Sequence, residues 1–293
     1  MEKVYIVIGN PDNPLKKEYF FIEFLISLYS YLKDHSYNVE LILKANEINP
    51  KSKNLHIGIF NVVNIMPENY IMFNIEPFEN RDEVYNNKLC NARAILNLDN
   101  SYGFPKYSKF YSKNILFPIT YYHSIENIFN IDRSSIIQDI DVLFYGSMNS
   151  RRIQLVKDIK KAGVNIYCPN KPISNDYPHN VFGPEKDILI ERSKIILLSV
   201  YYEKSTEIPR SIYCLSKKKC IIADSYGENY FLKHLFDDVF PVVETSNLIN
   251  TINYYLSNDK ERKHMSEKGY KYVKEKYKTE NFIEPILKFI NIK

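Results

Sequence analysis

YYEKSTEIPRSIYCLSKKKCIIAD, residues 201–224, decides the fold. The apolar run IILLSV (195–200) leads into it, and its last five residues, CIIAD, form a second apolar run. Between the two lie Glu203 and Glu207 in a polar loop, then Pro209 and Arg210 in the first turn of a helix over 207–216. Proline suits that turn because its missing N–H would find no intrahelical partner there. Strand, polar loop, helix, strand is the layout of a parallel crossover unit. It sets charged side chains at the carboxyl edge of a sheet, where open α/β proteins bind ligands.

The same alternation extends in both directions. Short apolar runs predict strands at 3–9, 38–43, 55–60, 70–75, 94–98 and 115–117, with a long amphipathic helix over 15–33. In that helix Phe20, Phe21, Phe24, Leu25, Leu28 and Leu32 recur at helical spacing and read as core. A connecting stretch, 118–138, separates this half from a restart at IDVLFYG (140–146). Further strands are expected at 164–168, 194–199, 219–223 and 239–243. Helices are expected at 149–162, 185–193, 207–216, 246–257, 259–276 and 279–291. Alternating β and α elements give an α/β class with largely parallel, doubly wound sheets. The expected organisation is two domains, 1–135 and 136–278, facing across a ligand cleft, with 279–293 returning to the first.

Composition narrows the function classes. The 293 residues are 45% hydrophobic and 25% charged, an ordinary globular profile long enough for two cores. A net charge of +4, from 39 basic against 35 acidic side chains, is too weak a field to argue for nucleic acid. Cys90, Cys168, Cys214 and Cys220 show no metal-ligand spacing and read as free thiols of a reducing compartment. MEKVYIVIGN reads as a first strand rather than a leader, and FFIEFLISLYSYL carries Glu23 and is shorter than a bilayer span. A cytoplasmic protein with at most peripheral membrane contact is the expectation. The chain is silent on oligomeric state.

Chemistry concentrates at strand ends. In YGSMNSRR (145–152), Gly146 permits close backbone approach, Ser147 and Asn149 suit a helix cap, and Arg151 and Arg152 fall in the helix's first turn. First-turn amides attract anions, and arginines beside them suit a diphosphate. Glu203 and Glu207 fit hydrogen bonds to vicinal hydroxyls, but Glu207 serves equally as a helix-end carboxylate paired to Arg210. In the first half, Glu76 follows the strand YIMFNI as a candidate base or acceptor ligand. Asn10, Asp99 and Ser101 also follow strands on that acceptor side. His123 lies near the domain junction, where an imidazole would assist a leaving phosphate. His56, alternating with apolar neighbours in LHIGIF, reads as structural.

Taken together, DVLFYGS…RR, FGPEKDILIERSKIILLSVYYE (182–203) and EIPRSIYCLSKKKCIIAD (207–224) resemble the carboxyl-terminal domain of GT-B glycosyltransferases. The type is the group 1 proteins related to spore-maturation glycosyltransferases. The tail NLINTINYYLSNDKERKHMSEKGYKYVKEKYKTENFIEPIL (247–287) resembles that family's closing helices. FNIEPF (73–78), ILNLDNS (95–101) and ILFPITYYH (115–123) are similar to its weaker amino-terminal motifs. The resemblance implies a UDP- or GDP-linked nucleotide-sugar donor and no obligatory metal or other cofactor. The acceptor would be a hydroxyl on a glycan, a protein or a small molecule, and transfer would retain configuration. Carried onto this sequence, Gly146, Ser147, Asn149, Arg151 and Arg152 would line the diphosphate. Tyr202, Glu203, Glu207 and Arg210 would meet the ribose and sugar, and Glu76, Glu203 and His123 would be the catalytic candidates. A non-catalytic nucleotide- or glycan-binding protein and a sugar-nucleotide epimerase are the alternatives. One element departs from the pattern: Tyr213 stands where many retaining members carry a second glutamate, and Lys217–Lys219 where they carry glycine and proline.

Overall fold

The computed structural model describes residues 3–8, 22–60, 66–74, 83–97, 111–169, 183–201, 203, 207–227, 232–236 and 238–290. The chain divides into two compact units, one formed by residues 1–128 with 276–293, the other by 129–275. Each unit holds one all-parallel sheet, so the protein is α/β as the alternation predicts.

In the first unit, β1 (Val4–Val7), β2 (Val39–Ile42), β3 (Leu55–Gly58), β4 (Tyr70–Asn74), β5 (Ala94–Asn97) and β6 (Asn114–Leu116) pair in the order β2-β1-β3-β4-β5-β6. Helix α1 (Ile22–Asp34) buries Phe24, Leu25, Leu28 and Leu32, the face its spacing predicts. Phe20 and Phe21 lie outside the described residues. A helix absent from the sequence reading, α2 (Glu83–Asn91), joins β4 to β5. It buries Tyr85 and Leu89 and carries three asparagines, so neither periodicity nor propensity announces it. Residues 276–293 belong to this unit. Tyr121 and Lys278 form a parallel bridge, and the fully buried Thr279 donates to Tyr121 O at 3.1 Å. His56 is buried, stacks on Tyr5 at 4.9 Å and donates from Nδ1 to Asn54 O; burial lowers its pKa, as suits a neutral core imidazole.

In the second unit, β7 (Ile140–Leu143), β8 (Ile166–Tyr167), β9 (Ser193–Leu198), β10 (Cys220–Asp224) and β11 (Val242–Val243) take the order β11-β10-β9-β7-β8. Strands β9 and β10 are near-continuous apolar runs because helices cover both sheet faces. Val142, Phe144, Ile195, Leu197 and Ile222 pack with Leu155, Val156 and Ile159 of α3 (Ser150–Lys161) and Leu248 and Ile252 of α7 (Thr245–Ser257). Helices α4 (Gly183–Arg192) and α5 (Ile208–Ser216) contact β7, β9 and β10. A short α6 (Leu232–Leu235) follows β10, α8 (Asp259–Lys276) follows α7, and α9 (Glu284–Ile290) belongs to the first unit. The chain crosses β7 to reach β8 on one side and β9, β10 and β11 on the other, so the switch point lies between β7 and β9. Loops leaving their carboxyl ends there diverge to opposite faces and open a crevice.

The triple lysine closing α5 reveals why glycine is dispensable there. Lys218 takes φ +55°, and the amides of Lys218 and Lys219 donate to Leu215 O and Cys214 O at 3.0 and 3.1 Å. That is the helix-ending pattern that usually recruits glycine for its left-handed residue. Lys217 runs inward to Asp187 at 2.7 Å, both side chains 1% exposed, and Tyr213 donates its hydroxyl to the same carboxylate. Lys219 pairs with Glu191 at 2.8 Å. The departures from the family pattern therefore form one staple between α5 and α4. Lys218→Gly should raise stability by up to about 0.5–1 kcal/mol, since it relieves a left-handed residue and gives up only the exposed Lys218–Glu267 pair at 3.2 Å. Lys217→Gly should cost about 3 kcal/mol by stripping a buried carboxylate of its counter-charge. Urea unfolding of the two variants checks the opposite signs.

Candidate functional site

The crevice between β7 and β9 is built around one carboxylate. Glu207 precedes α5, is buried, and gives Oε1 to Arg152 Nη2 and Oε2 to Arg210 Nη1, each at 3.0 Å. It makes no side-chain cap to its own helix. Arg152, 2% exposed, also donates from Nη1 to Ser147 O at 2.7 Å and from Nη2 to Ser199 O. One guanidinium thus ties the turn after β7, the end of β9 and the start of α5. Burial pulls its pKa down to about 10 against the opposing attraction of Glu207, so it is still charged at neutral pH.

Asn149 caps α3 by accepting from Arg152 N at 2.9 Å, while its amide donates to Tyr201 O at 3.0 Å. Ser147 contributes its carbonyl to Arg152 rather than a cap. Gly146 has φ +139°, and a Cβ there would stand 3.0 Å from Arg210 Nη2 and 3.4 Å from Arg152 Nη1. Glycine is needed both for the backbone angle and for the approach of two guanidiniums. Arg210 lies over the Tyr145 ring at 4.9 Å and reaches the Gly146 turn from the far side of the crevice.

Arg151 faces the other way. Its Nη1 donates to the fully buried Asp224 at 2.8 Å, and its Nη2 to Ser199 Oγ and Val200 O at 2.6 and 2.7 Å. Ser199 in turn donates to Asp224 at 2.7 Å. Three guanidiniums (Arg151, Arg152, Arg210) meet the buried carboxylates of Glu207 and Asp224, and the exposed Glu203 in the loop after β9 balances the third charge. The first turn of α3 adds amides that have no carbonyl a turn earlier to bond. This edge suits an anion.

The structure brings Gly146, Ser147, Asn149, Arg151, Arg152, Glu207 and Arg210 to one edge, with Glu203 exposed in the loop after β9. It redistributes their work: Arg151 and Arg152 brace strand ends, and Arg210 covers the glycine turn. His123 is elsewhere. It is exposed, meets the Tyr122 ring at a tilt with centroids 4.3 Å apart and lies 3.7 Å from Asp34 at the end of α1. That end of α1 leads into β2, so His123 sits at the amino edge of its sheet, opposite the strand ends expected to bind ligand. Asn10, Glu76, Asp99, Ser101 and Tyr202 lie outside the described residues.

The sequence reading missed Ser199, Asp224 and Tyr145, all at or just beyond the carboxyl ends of strands, where position alone was a usable signal. It also missed Asn74 and Asn97, the last residues of β4 and β5. Asn74 Nδ2 donates to Asn97 Oδ1 at 2.5 Å, Tyr85 OH donates to Asn74 Oδ1 at 2.9 Å, and Asn97 donates to Asn114. Burial pushes the thiols of Cys214 and Cys220 up to about 11 and about 12, so both are inert. Among the described residues, no group of three His, Cys, Asp or Glu is placed to hold a metal, and no helix is long and apolar enough to cross a membrane.

Comparison with solved structures matches the whole chain. Anabaena HepE (Alr3699), in complex with UDP and glucose, superposes with a TM-score of 0.59 at 8% identity, covering 100% of both chains. The fold is that of the GT-B glycosyltransferases. A glycosyltransferase from Rickettsia africae gives a TM-score of 0.56 at 11% identity over 100% of this chain and 99% of that one. Sucrose-phosphate synthase from Thermosynechococcus elongatus gives 0.54 at 10% identity over 99% and 98%. No family model matches the chain, and no curated protein matches it significantly. In this GT-B chain the Glu207 bridge is a stability element in its own right. Glu207→Gln should destabilise by about 3 kcal/mol, because the buried Arg152 and the half-buried Arg210 then face each other uncompensated. Arg152→Met should cost less in the Glu207→Gln background than in the wild type, a coupling that a double-mutant cycle in urea measures.

Proposed function

We propose that this protein is a glycosyltransferase that moves a sugar from a nucleoside-diphosphate sugar to a hydroxyl acceptor. The observation that carries the reading is the Gly146 turn beneath Arg210, at a sheet switch point beside the first-turn amides of α3. A diphosphate needs close backbone approach, first-turn amides and a guanidinium fork, and this edge supplies all three types of group. UDP in structures of HepE, and UDP-glucose in another of them, make uridine nucleotides the first donors to try.

In transfer, the bond from the anomeric carbon to the β-phosphate oxygen breaks, and negative charge grows on the departing diphosphate. Arg210 and the α3 amides would meet that charge; Glu207 holds Arg210 in place, and Arg152 holds Glu207. Preorganised donors aimed at developing charge are worth roughly 10²–10³ in rate for each one removed. Among the described residues, the carboxylates buried at this edge, Glu207 and Asp224, are both engaged by guanidiniums. Neither is offered as a base, and retention of configuration is taken from the family resemblance.

Isothermal titration with UDP, GDP and their sugars tests the reading. The wild type should bind one nucleoside diphosphate family. Gly146→Ala and Arg210→Ala should each weaken that binding at least about tenfold. Failure of the wild type to bind any nucleoside diphosphate sinks the proposal. Release of the nucleotide with an altered sugar and no acceptor dependence would indicate an epimerase instead.

A further inference from the structure

A second feature of the same edge is an aromatic face that nothing above uses. Tyr226 is 38% exposed, and the guanidinium of Arg151 lies 3.9 Å from its ring centroid. That guanidinium is itself fixed by Asp224, Ser199 and Val200, so the ring plane is set from behind by a braced cation. Gly227 follows with φ +58°, and a Cβ there would stand 2.4 Å from Glu203 O and 2.9 Å from Glu203 Cα. Only glycine lets the loop after β10 press against the loop after β9. The press sets an exposed carboxylate residue and an exposed aromatic residue side by side at the strand ends.

An apolar ring face beside a carboxylate is the chemistry that holds a pyranose. The C–H face of the sugar covers the ring, and the carboxylate accepts from its hydroxyls. Strand β10 lies two places from β7 in the sheet, so the end that carries Tyr226 stands about 9–10 Å along the edge from the end that carries the Gly146 turn, with the β9 end and Glu203 between them. That is the reach of a sugar attached to a diphosphate held at the turn. We propose that Tyr226, backed by Arg151 and flanked by Glu203, is the platform for the donor's pyranose ring, a reading that rests on the donor site proposed above. Tyr226 then discriminates a sugar nucleotide from the bare nucleotide.

The chain contains no tryptophan, so Tyr226→Trp would carry the sole indole and keep an aromatic face. Its emission is followed while UDP, UDP-glucose, UDP-N-acetylglucosamine, GDP and GDP-mannose are titrated, with calorimetry on the wild type in parallel. The expected result is an emission change with the sugar nucleotide that the wild type binds, and none with the matching diphosphate. In Tyr226→Ala, affinity for that sugar nucleotide should fall roughly tenfold, with the diphosphate within about twofold of wild type and Tyr226→Phe retaining both. Equal losses for diphosphate and sugar nucleotide would place a base or phosphate on the ring and overturn the proposal. So would unchanged emission while calorimetry records a bound donor. If the wild type binds no nucleoside diphosphate, the glycosyltransferase reading itself fails. If it binds one and Tyr226→Ala leaves sugar discrimination intact, only the platform is lost.

Discussion

A buried carboxylate shared by two guanidiniums is the interaction on which the carboxyl edge of the second unit's sheet depends. Removing a guanidinium from water is costly, and the cost is offset only when charge and hydrogen bonds are both supplied. Glu207 supplies the charge, and the carbonyls of Ser147 and Ser199 supply the bonds. Those carbonyls belong to the segments leaving β7 and β9, so satisfying Arg152 fixes the crevice between the two strands. Arg151 repeats the device one strand further on through Asp224. Two consecutive helix positions point about 100° apart. This is how adjacent arginines brace neighbouring strand ends without competing for acceptors. Both are held inside the low-dielectric edge, where salt screens them little.

Much of the fold was readable because its strands are buried on both faces. Runs such as IILLSV and CIIAD leave little choice between strand and loop, and a parallel crossover follows from what lies between them. Helix α2 escaped because only two of its nine residues are buried, which leaves no apolar stripe to read. The site was legible as a set of residues and not as a set of roles. Arginines in the first turn of α3 suggested a phosphate clamp. Sequence spacing says nothing of whether a carboxylate sixty residues away will claim them, and Glu207 and Asp224 do. Glu207 likewise suited a ribose or a helix end, while its two ion pairs arise only once α5 is docked.

The first unit carries a different kind of order at its strand ends. Asn74, Asn97 and Asn114 run across β4, β5 and β6 as a ladder of side-chain amides, closed by the Tyr85 hydroxyl. An amide both donates and accepts, so each rung satisfies its neighbour without bringing charge into the sheet. The two unit edges thus solve one problem, buried polarity at strand termini, by opposite means: neutral amides in one and matched ions in the other.

The lysine staple between α5 and α4 has a consequence for how such a chain can change. The left-handed turn at Lys218 forms without glycine, so a helix ending that usually recruits that residue is reached here by a lysine. Lys217, Asp187 and Tyr213 have become mutually conditional: each is tolerable in the interior only while the others remain. Single replacement of either Lys217 or Asp187 must pass through a stranded buried charge. The segment is held in a sequence trap by its own electrostatics.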